Sequence, residues 1–255
     1  MSKIIKYVIA DLLRNRTIMV YTLVLFALAM TVFGMESNAD KGVASLLNII
    51  LFVVPLVSII FSTVYLYNSA EFIELLVSQP LKRQTIWMSI FVGLGGAVSL
   101  AFLVGVGLPV VFYAFMPSGI VLVLCGVVLS LVFVSIAMWA SVRIRDKAKG
   151  IGLSILLWLY FALLFDALIL FIVFQFSDYP IESGMVAVSM LNPVDISRIL
   201  ILLQIDVSAM MGYTGAIFRN FFGTSGGMTI TVAVLLMWIT IPLILSARYF
   251  KQKDL

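Results

Sequence analysis

Long apolar intervals dominate the chain, and charged residues are confined mostly to the short stretches between them. A bilayer-spanning helix needs roughly 20 predominantly apolar residues. Four such intervals lie within residues 17–33, 44–67, 150–176 and 228–247. The uncharged run 84–142 suits two more helices, with Met-Pro-Ser-Gly at 116–119 as the turn between them. The pattern predicts an all-α polytopic membrane protein with six transmembrane helices.

The N-terminal segment, residues 1–16, has a different pattern. Its apolar residues fall on one side of a helix, and Lys3, Lys6, Asp11 and Arg14 fall on the other. This spacing predicts an interfacial helix with basic residues toward lipid headgroups. We expect the interfacial helix and the six spans to form one domain over residues 1–255.

The basic residues indicate the orientation in the membrane. Lys and Arg in short loops favour the cytoplasmic side. With the N-terminus inside, the outer side keeps only Lys41, Arg198 and Arg219 of the 16 basic residues. The sequence therefore predicts a cytoplasmic (inner) membrane protein with both termini in the cytoplasm and residues 177–227 outside.

Composition excludes several kinds of chemistry. The chain is 63% hydrophobic and 11% charged, whereas a soluble domain carries about a quarter charged residues. It has no His and one Cys, so neither a catalytic set nor a metal site is predicted. The glycine run 93–96 lacks the Lys-Ser/Thr of a phosphate loop. Scattered methionines could suit Cu(I), but their spacing is irregular and packing is the preferred interpretation.

The polar segment 69–87 follows the second span. Glu71 and Glu74 share one helix face, and Phe72 with the Leu pair at 75–76 is expected to form an apolar face opposite. Pro80 is expected to stop the helix. A partner's groove can grip such an exposed, partly apolar helix. The candidate coupling residues are Glu71, Glu74, Leu75, Leu76, Pro80 and Arg83.

Residues 177–227 contain another helix start. Asn192 suits an N-cap and Pro193 the first helical position. Asp195 and Arg198, three residues apart, could pair. We expect this helix to lie at the outer leaflet with a second one from Asp206, forming either a docking platform or a lid over helix ends. The candidate platform residues are Asn192, Pro193, Asp195, Arg198, Asp206 and Arg219.

Polar residues within spans are Asn48 in the second span and Asp166 in the fifth. An intramembrane carboxylate normally faces the protein interior or a water-filled cavity. Asp166 either lines a translocation route or, as the sequence favours, bonds to a hydroxyl group on a neighbouring helix. No span carries a basic residue to pair with it.

Small residues recur every four positions along the third span, at 93, 97, 101 and 105. Such a stripe lets another helix approach closely. Further along, Gly105, Gly107 and Pro109 are expected to weaken the outer end of this span.

Six spans, an interfacial N-terminal helix and an acidic-Leu-Leu-Pro-basic segment after span two resemble the permeases of ABC-2-type exporters. The resemblance covers essentially the whole chain. It implies that residues 69–80 form the coupling helix that inserts into an ATPase subunit. It also implies that ATP and Mg²⁺ are bound by that separate subunit and not by this chain.

A narrower resemblance is carried by Leu-Leu-Val-Ser-Gln-Pro at 75–80, Leu-Asn-Pro-Val-Asp-Ile-Ser-Arg at 191–198 and Met-Gly-Tyr-Thr-Gly-Ala at 211–216. These stretches are similar to the NosY group of permeases, which serve the maturation of nitrous oxide reductase. The resemblance implies a homodimer, a NosF-type ATPase on the cytoplasmic side and a NosD-type β-helical protein outside. The system would supply copper or sulfur to the reductase.

Two other functions are compatible with the same residues. The chain could be a generic ABC-2 exporter of a lipid, peptide or drug. It could also be a membrane anchor or assembly subunit through which nothing is transported.

Overall fold

The computed structural model describes residues 2–36, 38–175, 182–205 and 224–252, which are helical without a β-strand. The helices are α1 Ser2–Leu13, α2 Arg16–Met35, α3 Ala39–Asn68, α4 Ala70–Val77, α5 Arg83–Phe102, α6 Leu108–Tyr113, α7 Pro117–Arg143, α8 Lys147–Leu159, α9 Phe165–Gln175, α10 Glu182–Ser189, α11 Pro193–Gln204 and α12 Ser225–Gln252. Two π-helical segments, Leu103–Gly107 and Tyr160–Leu164, join α5 to α6 and α8 to α9.

The six predicted spans are confirmed within the described residues. They are α2, α3, α5 with α6, α7, α8 with α9, and α12. The third and fourth spans meet where α7 begins at Pro117, as the turn signal predicted. The end of the third span that was expected to be weak contains the π-helical segment with Gly105 and Gly107.

Helix α7 lies at the centre of the bundle. It packs against α3, α5, α11 and α12, and Leu122, Leu129 and Phe133 are fully buried along it. Its serines do not expose polar groups, because Ser130 Oγ donates to the carbonyl of Gly126 at 2.8 Å, one turn earlier. A span surrounded by protein requires close packing and hydrogen-bond partners for its polar groups, and α7 has both.

The small-residue stripe of the third span, which runs from α5 into the π-helical segment, lets two helices approach closely, as predicted. A Cβ added at Gly93 would lie 2.5 Å from Cγ1 of Val8 on α1. One added at Gly105 would lie 2.9 Å from Cβ of Leu25 on α2. Only glycine leaves room for the neighbouring side chains at these two positions, so the stripe lets α1 and α2 pack closely against the third span.

Pro55 lies within α3, where a proline removes one backbone donor. In the same turn the indole of Trp158 on α8 donates to the carbonyl of Phe52 at 3.1 Å. The Phe52 and Trp158 rings also meet edge to face at 4.7 Å. Helix α8 is therefore fastened to α3 at the proline turn.

The pair α10–α11 enters the bundle, and this differs from the expected position at the outer leaflet. Trp238, midway along α12, donates through its indole to the carbonyl of Met190 at 3.3 Å. Asn192 Nδ2 donates to the carbonyl of Phe161, in the π-helical segment of the fifth span, at 2.9 Å. The turn between α10 and α11 therefore reaches the middle of two spans. The reason is that the apolar face of α11 packs on α7, α3 and α12 instead of on lipid.

Candidate coupling site and charge cluster

Helix α4 lies across the end of the bundle at which most basic loops meet. Glu71, Glu74 and Leu75 are exposed on one face, and Ile73 and Leu76 are buried on the other. The prediction that Leu75 lies on the face opposite the two glutamates is wrong, since Leu75 is on their face and 66% of it is exposed. Helical spacing explains this, because positions 71, 74 and 75 lie on the same face. The exposed face therefore combines two carboxylates with one leucine.

The helix ends before the proline that was expected to stop it. Its last residue is Val77, and Ser78 follows with its Oγ donating to the carbonyl of Leu75 at 2.9 Å. Pro80 is exposed in the connection to α5. The proline therefore keeps the chain from continuing as a helix but is not itself the end of α4.

Aromatic contacts support α4 from below. The ring of Phe72 stacks on Tyr7 of α1 with centroids 5.2 Å apart. Trp87 of α5 stacks on Phe250 of α12 at 4.3 Å and donates to Ser246 Oγ at 2.9 Å. A cavity of about 330 Å³ between these groups is lined by residues that include Glu74, Trp87 and Phe250. Helix α4 itself packs on α3 and α5, so movement of α4 would reach α5 directly and α1 through Phe72.

The turn between α7 and α8 is joined to the end of α3. The hydroxyl of Tyr67 donates to the carbonyl of Ile144 at 2.9 Å, and Lys147 Nζ donates to Asn68 Oδ1 at 2.7 Å. Arg83 NH1 lies 3.4 Å from the carbonyl of Lys251 at the end of α12, where a cation is favourable. These contacts gather the predicted cytoplasmic loops at one end of the bundle.

At the opposite half of the molecule, Asp166, Asp195 and Arg198 form a charge cluster. Arg198 NH1 lies 2.9 Å from Asp166 Oδ2 and 3.3 Å from Asp195 Oδ1. The predicted pairing of Asp195 with Arg198 is confirmed. Asp166 pairs with arginine and not with the expected hydroxyl group, because α11 carries Arg198 into the bundle beside the fifth span.

The cluster holds one cation and two carboxylates in partly buried surroundings. The side chain of Asp195 is 7% exposed, while those of Asp166 and Arg198 are 32% and 31% exposed. Burial raises the pKa of the Asp195 carboxyl to about 7, and the neighbouring Asp166 adds to this rise against Arg198 and Asn192. Its Oδ2 is buried and has no hydrogen-bond partner among the described residues. Asp195 therefore takes up a proton far more readily than an exposed aspartate.

The remaining candidate residues occupy varied positions. Asn192 is the N-cap of α11 and Pro193 its first residue, as predicted. Both are buried, so they offer no surface for docking in this structure, and their docking role stays a prediction. Asn48 is exposed on α3. Asp206 and Arg219 lie outside the described residues.

Sequence reasoning missed the supports of α4 and the cation of the cluster. Tyr7, Trp87 and Phe250 read as ordinary interfacial aromatics, and only their tertiary contacts reveal a role. The sequence marks Arg198 as a lone cation in an otherwise apolar helix, but it does not show that this helix lies beside Asp166.

Comparison with known proteins agrees with this architecture. A family model described as "ABC-2 family transporter protein" matches residues 3–255. The chain belongs to the ABC-2 family of transporter proteins. Within this ABC-2 permease, α4 occupies the position after the second span at which the resemblance places a coupling helix.

Two relatives of this ABC-2 permease carry the same description, "Probable ABC transporter permease protein NosY". The one from Stutzerimonas stutzeri is 26% identical over 271 residues, which covers 96% of this chain and 95% of the relative. The one from Pseudomonas aeruginosa (strain PAO1) is 28% identical over 225 residues, with 80% and 82% covered. The chain is thus similar to NosY over most of its length.

Proposed function

We propose that this chain is the membrane subunit of an ATP-driven complex and that α4 is its contact with a separate ATPase. The observation that carries the proposal is the exposed face of Glu71, Glu74 and Leu75 on a helix that packs on α3 and α5 and stacks on α1 through Phe72. Permease subunits of ABC transporters are generally not enzymes themselves. The NosF-type partner would bind ATP and Mg²⁺, and this chain would bind neither.

The mechanism follows from these contacts. Closure of two ATPase subunits would push on the α4 helices of a homodimer. Because α4 packs on α5 and Phe72 stacks on Tyr7, the push would reach α5 and α1, and the Trp87–Phe250 stack would carry it from α5 to α12. The α10–α11 pair touches α12 through Trp238, so it lies on the route to the outer side. Binding energy must differ between the two states for such coupling to work.

The finer function rests on the similarity to NosY. We place the chain in the cytoplasmic membrane, with both termini inside and a NosD-type β-helical protein docked outside near residues 192–219. The complex would serve delivery of copper or sulfur to nitrous oxide reductase. The metal would be cargo of the system and not a resident cofactor of this chain.

Charge reversal tests the ATPase contact. Glu71→Lys with Glu74→Lys should abolish co-purification of the ATPase while the chain still inserts into the membrane. Glu36→Lys is the control. Glu36 follows the last residue of α2, at the end of that span away from α4, so this change should leave recovery of the ATPase unchanged. Normal recovery of the ATPase with the double variant would contradict the proposal.

Complementation tests the finer function. A host whose NosY-type permease is deleted should produce nitrous oxide reductase lacking its metal centres, and this chain should restore them. Metal analysis of the purified reductase gives the readout. Restored export of an unrelated substrate without restored metal would favour a generic exporter.

A further inference from the structure

A second cavity lies between α1 and α3, away from the coupling face. Its volume is about 500 Å³. One end is polar, with Asp11, Asn15 and Asn68 among its lining residues, and the other is apolar, with Val57 and Ile60. None of the exposed residues assigned to the ATPase contact lines this cavity, and its polar end includes Ser69, the residue that immediately precedes α4.

The cavity has the length of one membrane leaflet. Asn68 is the last residue of α3, and the lining runs along this helix through Val64 and Ile60 to Val57. Eleven residues of α-helix span about 16 Å. Half of the hydrocarbon core of a bilayer is about 15 Å thick. The polar end lies beside the interfacial helix α1, so the groove reaches from headgroup level to the middle of the membrane.

The apolar wall has the character of a surface for a single flexible chain. Leu56, Val57, Ile60 and Val64 are half-buried, so they form a groove that opens sideways instead of a closed core. Aliphatic side chains at successive turns of one helix present a continuous strip. An acyl chain lying on this strip would cover these aliphatic side chains while the lipid stays in the bilayer.

The polar end selects the headgroup by charge. The exposed carboxylate of Asp11 forms no ion pair with a described side chain. A cation lies nearby at the same end, because Lys147 Nζ donates to Asn68 Oδ1 at 2.7 Å. The other polar lining residues at this end, Asn15, Thr17, Asn68 and Ser69, are uncharged. A ligand with an N–H-bearing cation next to a phosphate matches this end, because it offers a partner to the Asp11 carboxylate and another to Lys147, whereas a headgroup without a cation would leave Asp11 unpaired.

We propose that this groove binds a zwitterionic aminophospholipid of the cytoplasmic leaflet, of the phosphatidylethanolamine type. The ammonium group pairs with Asp11, and the amide and hydroxyl donors of Asn68 and Ser69 face the phosphate. One acyl chain lies along Val64, Ile60 and Val57. The lipid thereby fills the gap between the interfacial helix α1 and the second span.

Native mass spectrometry of the full chain in detergent tests this proposal. The protein is titrated with phosphatidylethanolamine, phosphatidylcholine and phosphatidylglycerol that carry identical acyl chains. Phosphatidylethanolamine should occupy the protein at about tenfold lower concentration than the others, the gain expected from one charge-assisted hydrogen bond. Phosphatidylcholine tests the need for N–H donors, and phosphatidylglycerol tests the need for a cation. Equal occupancy by all three lipids would overturn the proposal.

Two variants locate the site. Asp11→Asn should remove the preference for phosphatidylethanolamine, and Ile60→Trp should lower the occupancy of all three lipids by filling the groove. Leu23→Trp is the matched control, because Leu23 is exposed on α2 outside the groove and should change nothing. Unaltered selectivity in Asp11→Asn would refute the headgroup assignment.

A second copy of the chain is the competing occupant. Ile60→Cys should stay available to a membrane-soluble thiol reagent and should be protected by phosphatidylethanolamine. A disulfide formed through this cysteine between two copies would show that protein covers the groove, and the proposal would fall. If a variant does not fold, the titration of the unaltered chain with the three lipids still decides the proposal.

Discussion

The two ends of this permease use charged residues in opposite ways. Around α4, Glu71 and Glu74 are exposed, and the helix is held by rings and apolar side chains. In the α10–α11 region, charged side chains are drawn inward and Arg198 bonds to two carboxylates. Charge is left available for a partner at one end and positions a helix at the other. Removing charge should therefore damage the second region and spare the first.

The largest effect is expected from Arg198→Met. Two partly buried carboxylates would lose the cation that binds both, and we expect a loss of about 2–3 kcal/mol in the free energy of unfolding, because the 31% exposure of Arg198 moderates the cost of breaking a buried pair. Denaturant unfolding in detergent measures it. Adding Asp166→Asn and Asp195→Asn to the same chain should recover much of the loss. A triple variant as unstable as the single one would show that shape, not charge, holds α11.

The next effect on stability is expected where α5 packs against α1. Gly93→Ala would place a Cβ 2.5 Å from Val8 Cγ1, and overpacking of this kind costs about 1–3 kcal/mol. The control is Gly152→Ala on α8, where a Cβ meets nothing within 4 Å and helix propensity improves. Thermal unfolding of both variants gives the comparison. Adding Val8→Ala should relieve the strain of Gly93→Ala, and a lack of rescue would count against close packing.

Stability should also follow pH through Asp195. Its pKa rises from 3.8 to about 7 in the folded chain, so the folded state binds more protons than the unfolded one between these values. Stability should therefore be highest at the acidic end of this window and fall as pH rises toward 7. Midpoints of thermal unfolding measured across the window check this. Asp195→Asn should flatten the decline in stability. An equally steep decline in that variant would show that a group other than Asp195 takes up the proton.

The smallest effect on folding is expected at the coupling face. Glu71→Lys with Glu74→Lys changes exposed side chains, and the free energy of unfolding should move by less than about 0.5 kcal/mol. The same variant should lose the ATPase. A large loss of stability would blur the contrast between the two ends, because it would show that these carboxylates also support the fold.

Much of this architecture could be predicted from the sequence because the membrane imposes simple rules. Span length located six helices, and Asn192 with Pro193 marked the start of α11. The depth of α11 could not be predicted, because apolar residues suit lipid and a protein interior equally well. The orientation of Leu75 was misjudged since its sequence neighbours are apolar, while its helical neighbours Glu71 and Ser78 are polar. The partner of Asp166 required knowing which helices touch.

The π-helical segment Tyr160–Leu164 has a consequence for how this chain can change over evolution. A π-turn accommodates one extra residue relative to an α-helix, and each residue turns the helix by about 100°. Asp166 follows the segment by two positions, so its direction toward Arg198 depends on that extra residue. Loss of a single residue here would rotate the carboxylate away from the arginine while α8 kept its place. Length at this point is therefore more constrained than residue identity, and homologues that preserve the ion pair should tolerate substitutions here far better than deletions.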